Sequence, residues 1–273
     1  MKVYCILSDE RAYLSRSPGM FSTVLKKNGI NGAYVPFKVA PSEIGNALQS
    51  LRILNIAGAN VTVPYKEAVI PFLDILSEGA NIIGAINTIV CNGRQLKGYN
   101  TNAIGIMDAL SEIGFDIADK SALVMGTGGA ARAAAFILNW LRADTVYICG
   151  RNPNGIADLV KCFGGEPISL DQVVARPLPV ALVINATSVS SEEEAPDLAV
   201  LSRQLDLPQC ELLMDLNYGR RQNFWEAAAA ERKIRFVDGL PALAYQARRT
   251  FALWTGLQVQ PQEFLAALDL CAG

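Results

Sequence analysis

Short apolar runs alternate with helix-like segments along this chain, and that alternation limits the fold more than any other feature. Val3–Leu7, Tyr34–Val39 and Ile56–Val61 read as strands. Pro18–Asn28 and Pro41–Leu51 read as helices, each opened by a proline where the first turn has no use for its missing N–H. Lys66–Leu76 reads as a third amphipathic segment. This β-α-β-α-β order predicts a mostly parallel sheet with both faces covered. Ile86–Cys91 and Arg94–Tyr99 flank Asn92-Gly93, a strong two-strand turn signal, so an antiparallel hairpin is expected to edge that sheet. Asn102–Ile113 follows as a helix leading into a second domain.

The second half repeats the logic. Ala122–Met125 is a buried strand, and Gly126-Thr127-Gly128-Gly129-Ala130-Ala131 leads into an Ala-rich helix that runs to about Leu141. Thr145–Cys149, Val180–Ile184, Leu212–Leu216 and Ile234–Val237 are further strands, and Glu192-Glu193-Glu194 reads as a solvated loop. Pro261–Leu270 forms a final helix, expected to pack back on the first domain.

Composition excludes several kinds of chemistry. There is no histidine in 273 residues, so imidazole acid–base catalysis, Ser-His-Asp and Cys-His nucleophiles and His-ligated zinc are ruled out together. Proton transfer falls to Lys, Tyr, Asp, Glu, Cys or water. With 24 basic against 26 acidic residues the net charge is −2, which argues against a nucleic-acid partner. No apolar run is long enough to span a bilayer, and Met1–Leu7 lacks the length of a signal peptide. Cys5, Cys91, Cys149, Cys162, Cys210 and Cys271 form no C-x-x-C pair and read as reduced thiols of a cytoplasmic protein.

Four motifs carry candidate chemistry. Gly126-x-Gly128-Gly129-Ala130, between a strand and a helix, suits a pyrophosphate: the glycines make the turn and admit the phosphates, and the helix N-terminus supplies N–H groups. The next strand ends at Cys149-Gly150-Arg151-Asn152, without the acid that usually binds the ribose 2′-OH of NAD. A guanidinium at Arg151 suits a 2′-phosphate, so NADP is favoured over NAD. Asn60-Val61-Thr62-Val63-Pro64-Tyr65-Lys66 ends a strand and places Lys66 at an expected helix start, where the dipole would lower its pKa and make it a candidate proton donor. Gly84-Ala85-Ile86-Asn87-Thr88 and Gly98-Tyr99-Asn100-Thr101-Asn102 place small polar residues at strand ends, a lining for a polyhydroxylated ligand. Ser15-Arg16-Ser17-Pro18 opens a helix with two hydroxyls suited to a carboxylate, or with Ser17 as a plain N-cap. Each motif also has a bland reading: a tight turn, a surface cation, a loop.

Taken together and in order, these motifs, with Ile184-Asn185-Ala186-Thr187, Asp215-x-x-Tyr218, Gly239-Leu240 and Gln246-Ala247, resemble the shikimate/quinate dehydrogenase family over essentially the whole chain. The resemblance implies an α/β class: an N-terminal mixed, mostly parallel substrate domain at 1–101 plus a C-terminal helix at about 258–273, and a Rossmann-type doubly wound NADP domain at 102–257. It implies reversible hydride transfer between NADP and a ring carbonyl or hydroxyl of shikimate, quinate or a related carboxylated ring, in a cleft between domains. Ser15 and Ser17 would hold the carboxylate, with Tyr218 near it. Thr62, Asn87 and Gln246 would hold ring hydroxyls, and so would Lys66, which would also exchange the proton. Gly126, Gly128, Gly129 and Ala130 would seat the pyrophosphate, Arg151 the 2′-phosphate, and Asn185, Thr187 and Gly239 would border the nicotinamide. The expected protein is a monomer or homodimer acting on a small molecule.

The chain departs from the family in three places. Asn102 stands where the family carries the aspartate that pairs with the lysine. An amide keeps the shape but cannot take a proton. It is an engineered change, a mark of a divergent relative with another substrate such as an amino or imino analogue, or a sign of a silent ligand-binding homologue; we favour the divergent relative. Asn152-Pro153-Asn154 replaces the usual Thr and second Arg and weakens the preference for NADP. Gly239-Leu240-Pro241-Ala242 differs from the common form beside the nicotinamide.

Overall fold

The computed structural model describes residues 1–270 and divides the chain into two units. The first holds Met1–Gly105 and the described residues from Leu243 on, and the second Ile106–Ala242. The boundaries thus fall inside two helices rather than in linkers. The first unit takes most of a sixteen-residue helix that the sequence reading assigns to the second domain.

In the first unit the order is β1 (Lys2–Ser8), α1 (Ser17–Lys27), β2 (Gly32–Lys38), α2 (Ile44–Ile53), β3 (Gly58–Val61), β4 (Ile75–Leu76), α3 (Glu78–Ile83), β5 (Thr88–Asn92), β6 (Gln95–Tyr99) and α4 (Asn102–Glu112). The sheet runs β2-β1-β3-β5-β6-β4. β1 pairs parallel with β2 and β3, β5 is antiparallel to β3 and β6, and β4 is parallel to β6. The β5–β6 hairpin pairs Asn92 with Gln95, so Gly93-Arg94 forms the turn and Gly93 takes the positive φ. That hairpin is not the sheet edge, because the two-residue strand β4 covers it. The expected amphipathic segment at Lys66–Leu76 does not form an α-helix. It is a run of turns, one 3-10 turn at Ile70–Phe72, and β4. Pro71 accounts for this: it withholds one N–H and its ring blocks the preceding turn of any longer helix.

Side chains alternate across β1. Cys5 and Leu7 join Leu48, Leu51, Val61 and Ile89 in one core cluster. Tyr4 faces the other way and stacks on Trp254 at 4.8 Å. Phe21, Tyr34 and Phe264 extend that aromatic layer. Burial on both faces explains why the β1 sequence is continuously apolar. Trp254 also donates from Nε1 to the Ile89 carbonyl at 2.9 Å, which ties α10 (Leu240–Thr255) to the sheet.

The second unit contains β7 (Ala122–Met125), α5 (Gly129–Trp140), β8 (Val146–Cys149), α6 (Pro153–Phe163), β9 (Glu166–Ile168), α7 (Leu170–Ala175), β10 (Leu182–Asn185), α8 (Pro196–Gln204), β11 (Leu212–Asp215), α9 (Phe224–Arg232) and β12 (Arg235–Val237). Its six strands are all parallel in the order β12-β11-β10-β7-β8-β9. The unit's first strand is therefore central, and the connections change direction between β7 and β10, the switch point of a doubly wound sheet. β9 has no counterpart in the sequence reading, since three residues beside two glycines carry too little pattern. Glu194 also departs from a freely solvated loop: it accepts the Ser190 and Ser191 N–H groups and pairs with Arg220. The final helix, α11 (Pro261–Leu270), packs in the first unit, where Phe264 meets Phe251 and Glu263 pairs with Lys27.

Cys5 and Cys149 are buried, Cys91 and Cys210 half-buried, and Cys162 exposed; all five are free thiols. Cys271 lies outside the described residues. Among the described residues no helix is long and apolar enough to cross a membrane.

Gly58 tests the packing of the first unit. A Cβ there would run into the indole ring of Trp254, so Gly58→Ala must move a fully packed aromatic or the strand. It should cost about 1–3 kcal/mol, read as a lower urea midpoint; an unchanged midpoint would show that the Trp254 contact is not tight.

Candidate active site

The first unit gathers its polar motifs around one buried amide, Asn87. The Thr101 N–H donates to Asn87 Oδ1 at 2.7 Å, which fixes the amide's orientation. Asn87 Nδ2 then faces three acceptors: Gln246 Oε1 at 2.7 Å, Thr101 Oγ1 at 2.8 Å and Asn102 Oδ1 at 2.9 Å. Residues distant in the chain meet here because β5, the N-terminus of α4 and α10 converge. Asn100 assists from the loop before α4: its Oδ1 accepts the Asn102 and Ala103 N–H groups, capping that helix, and its Nδ2 donates to the Ala85 carbonyl. Beneath lies a hydroxyl layer in which Thr88 and Thr101, read from the sequence as part of a ligand lining, are tied to each other and to Thr250. Thr88, Thr101 and Thr250 share hydrogen bonds of 2.8–3.4 Å, and Asn60 donates to Thr88 and to the Asn87 carbonyl while accepting the Tyr34 hydroxyl. Thr250 carries no sequence signal, being one buried threonine in a helix that also carries Gln246, Arg248 and Arg249.

Lys66 is linked to this hub through the backbone. Its carbonyl accepts the Ile86 N–H at 2.8 Å, and the Val61 N–H donates to the Asn87 carbonyl just before Thr62. Among the described residues no hydrogen bond or ion pair holds the Lys66 ammonium. Its pKa is pushed down to about 8. The cause is burial, which penalises the charged form, and not the helix dipole expected from the sequence, because no α-helix starts there.

Ser15 and Ser17 lie together at the start of α1. Ser15 Oγ accepts the Ser17 N–H at 3.2 Å; Ser17 is the buried first residue of the helix and not its N-cap, a position that Arg16 takes without a side-chain cap.

In the second unit the glycine turn sits at the switch point. Gly126 has φ +120°, a region that L side chains rarely adopt, and a Cβ there would press on the Ala186 carbonyl at the end of β10. Gly128 is open, with nothing near its missing Cβ, and it precedes α5 without any side-chain cap. Gly129 and Ala130 begin the helix, so its first N–H groups remain available to an anion. Arg151 is exposed just beyond β8, and Asn152 caps α6 by accepting the Gly155 N–H. An open, uncapped cradle followed by an exposed guanidinium fits a dinucleotide that carries an extra phosphate.

Around the ends of β10 and β11, Asp215 is the buried anchor. It accepts Asn185 Nδ2 at 2.8 Å, Asn223 Nδ2 at 2.7 Å, and both the backbone and side-chain N–H of Asn217. Burial pushes its carboxyl up against the opposing pull of these donors. Thr187 donates to Asn185 Oδ1 at 2.7 Å, so the Asn185 amide and the Thr187 hydroxyl are both engaged within the loop. Asn217 in turn holds the Thr187 carbonyl and accepts the Gly239 N–H at 2.9 Å, and Tyr218 follows it directly. Reading Asp215-x-x-Tyr218 as a motif overlooks the structural roles of Asn217 and Asn223.

With this geometry established, comparison with known proteins is decisive. Residues 10–89 match the family described as the shikimate dehydrogenase substrate binding domain. A shikimate dehydrogenase (NADP(+)) of Moorella thermoacetica is 37% identical over 256 residues, covering 89% of this chain and 84% of the relative. This chain belongs to the shikimate dehydrogenase family. A second relative of the same name, from Thermococcus kodakarensis, is 37% identical over 93% of this chain and 92% of its own. Among solved structures, the Thermus thermophilus shikimate 5-dehydrogenase in complex with NADP(H) and shikimate is similar at TM-score 0.85 and 31% identity, with 99% of both chains covered. Shikimate dehydrogenase of Aquifex aeolicus is similar at TM-score 0.86 and 29% identity, over 98% of this chain and 97% of that one. The fold class expected from the sequence, a mixed α/β unit followed by a Rossmann-type unit, is the one these proteins share.

Because its folded pKa is depressed, Lys66 costs stability in full while it is charged, below about pH 8. Stability should then rise with pH toward the ordinary lysine value of 10.5, as the unfolded chain binds the extra proton. Lysine-selective NMR should show one titration near pH 8, absent in Lys66→Met. The stability of the natural protein relative to Lys66→Met should climb over that interval. A pH-independent difference would mean that Lys66 titrates normally.

Proposed function

We propose that this protein is an NADP-dependent oxidoreductase of the shikimate dehydrogenase type, interconverting a ring hydroxyl and a ring carbonyl of shikimate or a related carboxylated cyclic compound. The carrying observation is the Asn87 hub, which holds Asn102 and Gln246 in fixed orientation, linked through Ile86 and Val61 to a half-buried lysine of lowered pKa.

NADP, when bound, supplies or receives the hydride. The chain's own residues bind and move the proton. Lys66 gives a proton to the oxygen of the ketone as it becomes an alcohol, and takes one back in the reverse direction; a pKa near 8 keeps both its protonated and its neutral form accessible close to neutral pH. Ser15, Ser17 and Tyr218 bind the carboxylate, and Thr62 and Gln246 bind ring hydroxyls. Asn87 acts chiefly by positioning, since its amide is already committed to Thr101, Asn102 and Gln246. Gly126, Gly128, Gly129 and Ala130 admit the pyrophosphate to the N-terminus of α5, Arg151 meets the 2′-phosphate, and Asn185, Thr187 and Gly239 shape the wall beside the nicotinamide. The protein acts as a monomer or homodimer, and its free thiols fit the reducing cytoplasm.

Asn102 favours one competing reading, a weak or silent ligand-binding relative. Mixing the protein with shikimate and NADP and following NADPH absorbance separates the two. Turnover supports the enzyme; ligand binding without turnover supports the silent relative. Asn102→Asp should raise the rate about 10²–10⁴-fold by restoring an acid–base partner. If the variant stays inert on shikimate and quinate, the natural substrate is a different compound. Arg151→Glu should weaken NADP more than NAD, and equal weakening would leave the guanidinium without a phosphate to bind.

A further inference from the structure

Asn102 changes more than charge, because its orientation is dictated by a chain of hydrogen bonds that begins at the backbone. The Thr101 N–H can only donate, so Asn87 must present Oδ1 to it. Asn87 Nδ2 therefore points the other way and can only donate. Any group within 2.9 Å of it must present a lone pair, so Asn102 and Gln246 both turn their carbonyl oxygens inward. Their amide nitrogens are left facing away from the hub. Neither nitrogen finds a partner among the described residues, and neither is sealed from solvent. Lys66, nearby in the backbone, adds three further donor hydrogens with no acceptor bound to them. An aspartate at 102 would have kept one oxygen on Asn87 and offered the other as an acceptor. Asn102 offers a donor.

We propose that Asn102 and Gln246 make this part of the site a donors-only surface that selects ring ligands bearing a carbonyl over their hydroxyl counterparts. The inference rests on the shikimate-type reading of the site. A ketone oxygen accepts from several donors at once and loses nothing. A hydroxyl also accepts from them, but its own hydrogen must find an acceptor, and neither the two outward-facing nitrogens nor the charged Lys66 ammonium supplies one; a donor left unpaired is costly. The same surface favours the oxyanion that forms during reduction, so the chain is biased toward binding the oxidised ring compound.

Calorimetry on the full chain at neutral pH, without NADP, compares shikimate with the ketone obtained by oxidising its reacting hydroxyl. The natural protein should bind the ketone about tenfold or more tighter, the size of effect expected for one unsatisfied hydroxyl. Asn102→Asp should bring that ratio back toward one or reverse it, mainly by tighter binding of shikimate. Asn102→Ala, which removes the donor without adding an acceptor, should weaken the ketone more than shikimate. A natural protein that binds both equally or prefers shikimate overturns the inference, and so does a ratio untouched by Asn102→Asp. If neither ring compound binds the natural protein or Asn102→Asp, the substrate reading itself falls, and the inference with it.

Discussion

One backbone hydrogen bond, from the Thr101 N–H to Asn87 Oδ1, sets the polarity of the first unit's candidate site. A side-chain amide is nearly symmetric in shape, so only its partners decide which end is oxygen. Here the decision is made by a main-chain donor that cannot be reversed. It passes through Asn87 to Asn102 on α4 and Gln246 on α10, two elements brought to β5 by the folding of remote segments. The hydroxyl layer of Thr88, Thr101 and Thr250 below, with Asn60 and Tyr34, gives the hub a satisfied floor. A buried polar network of this kind is stabilising when its donors are paired, and here every inward-facing donor meets an oxygen, with the two hydrogens of Asn87 Nδ2 shared among three of them.

The second unit solves a similar problem with a charge. Asp215 is fully buried and collects the amides of Asn185, Asn217 and Asn223, fastening the loops after β10 and β11 to each other and, through Asn217, to Gly239. The carboxylate is expensive to bury, as its raised pKa shows, and the amide donors offset that cost. The glycine turn at the switch point is left open by contrast, with an uncapped helix N-terminus behind it. One set of loops is locked and the other left free to receive an anion.

Much of this is legible in the sequence, for reasons that differ by element. β7 can be read to the residue because four buried apolar positions end at a glycine. Proline and polar punctuation place α1 and α4 within a residue or two of their observed ends. The segment Lys66–Leu76 misleads because its apolar spacing suits a helix, while Pro71 forbids one in its middle. With the helix gone, the dipole argument for Lys66 goes too; its lowered pKa survives on burial alone, which no local pattern reports. Asn102 stands out at once as an amide in place of an acid, yet which of its two ends faces the hub is invisible in the sequence.

The sequence by itself determined the alternation of strands and helices, the glycine turn, the absence of imidazole chemistry and the amide at position 102, because each is a matter of residue type at a local spacing. The tertiary structure alone decided that most of α10 joins the first unit, that Gln246 meets Asn87 across 159 positions of chain, and that the Asn102 nitrogen is turned away from the hub. Those facts depend on which hydrogen-bond donors and acceptors confront one another in space, and partners so distant in sequence leave no periodicity to read.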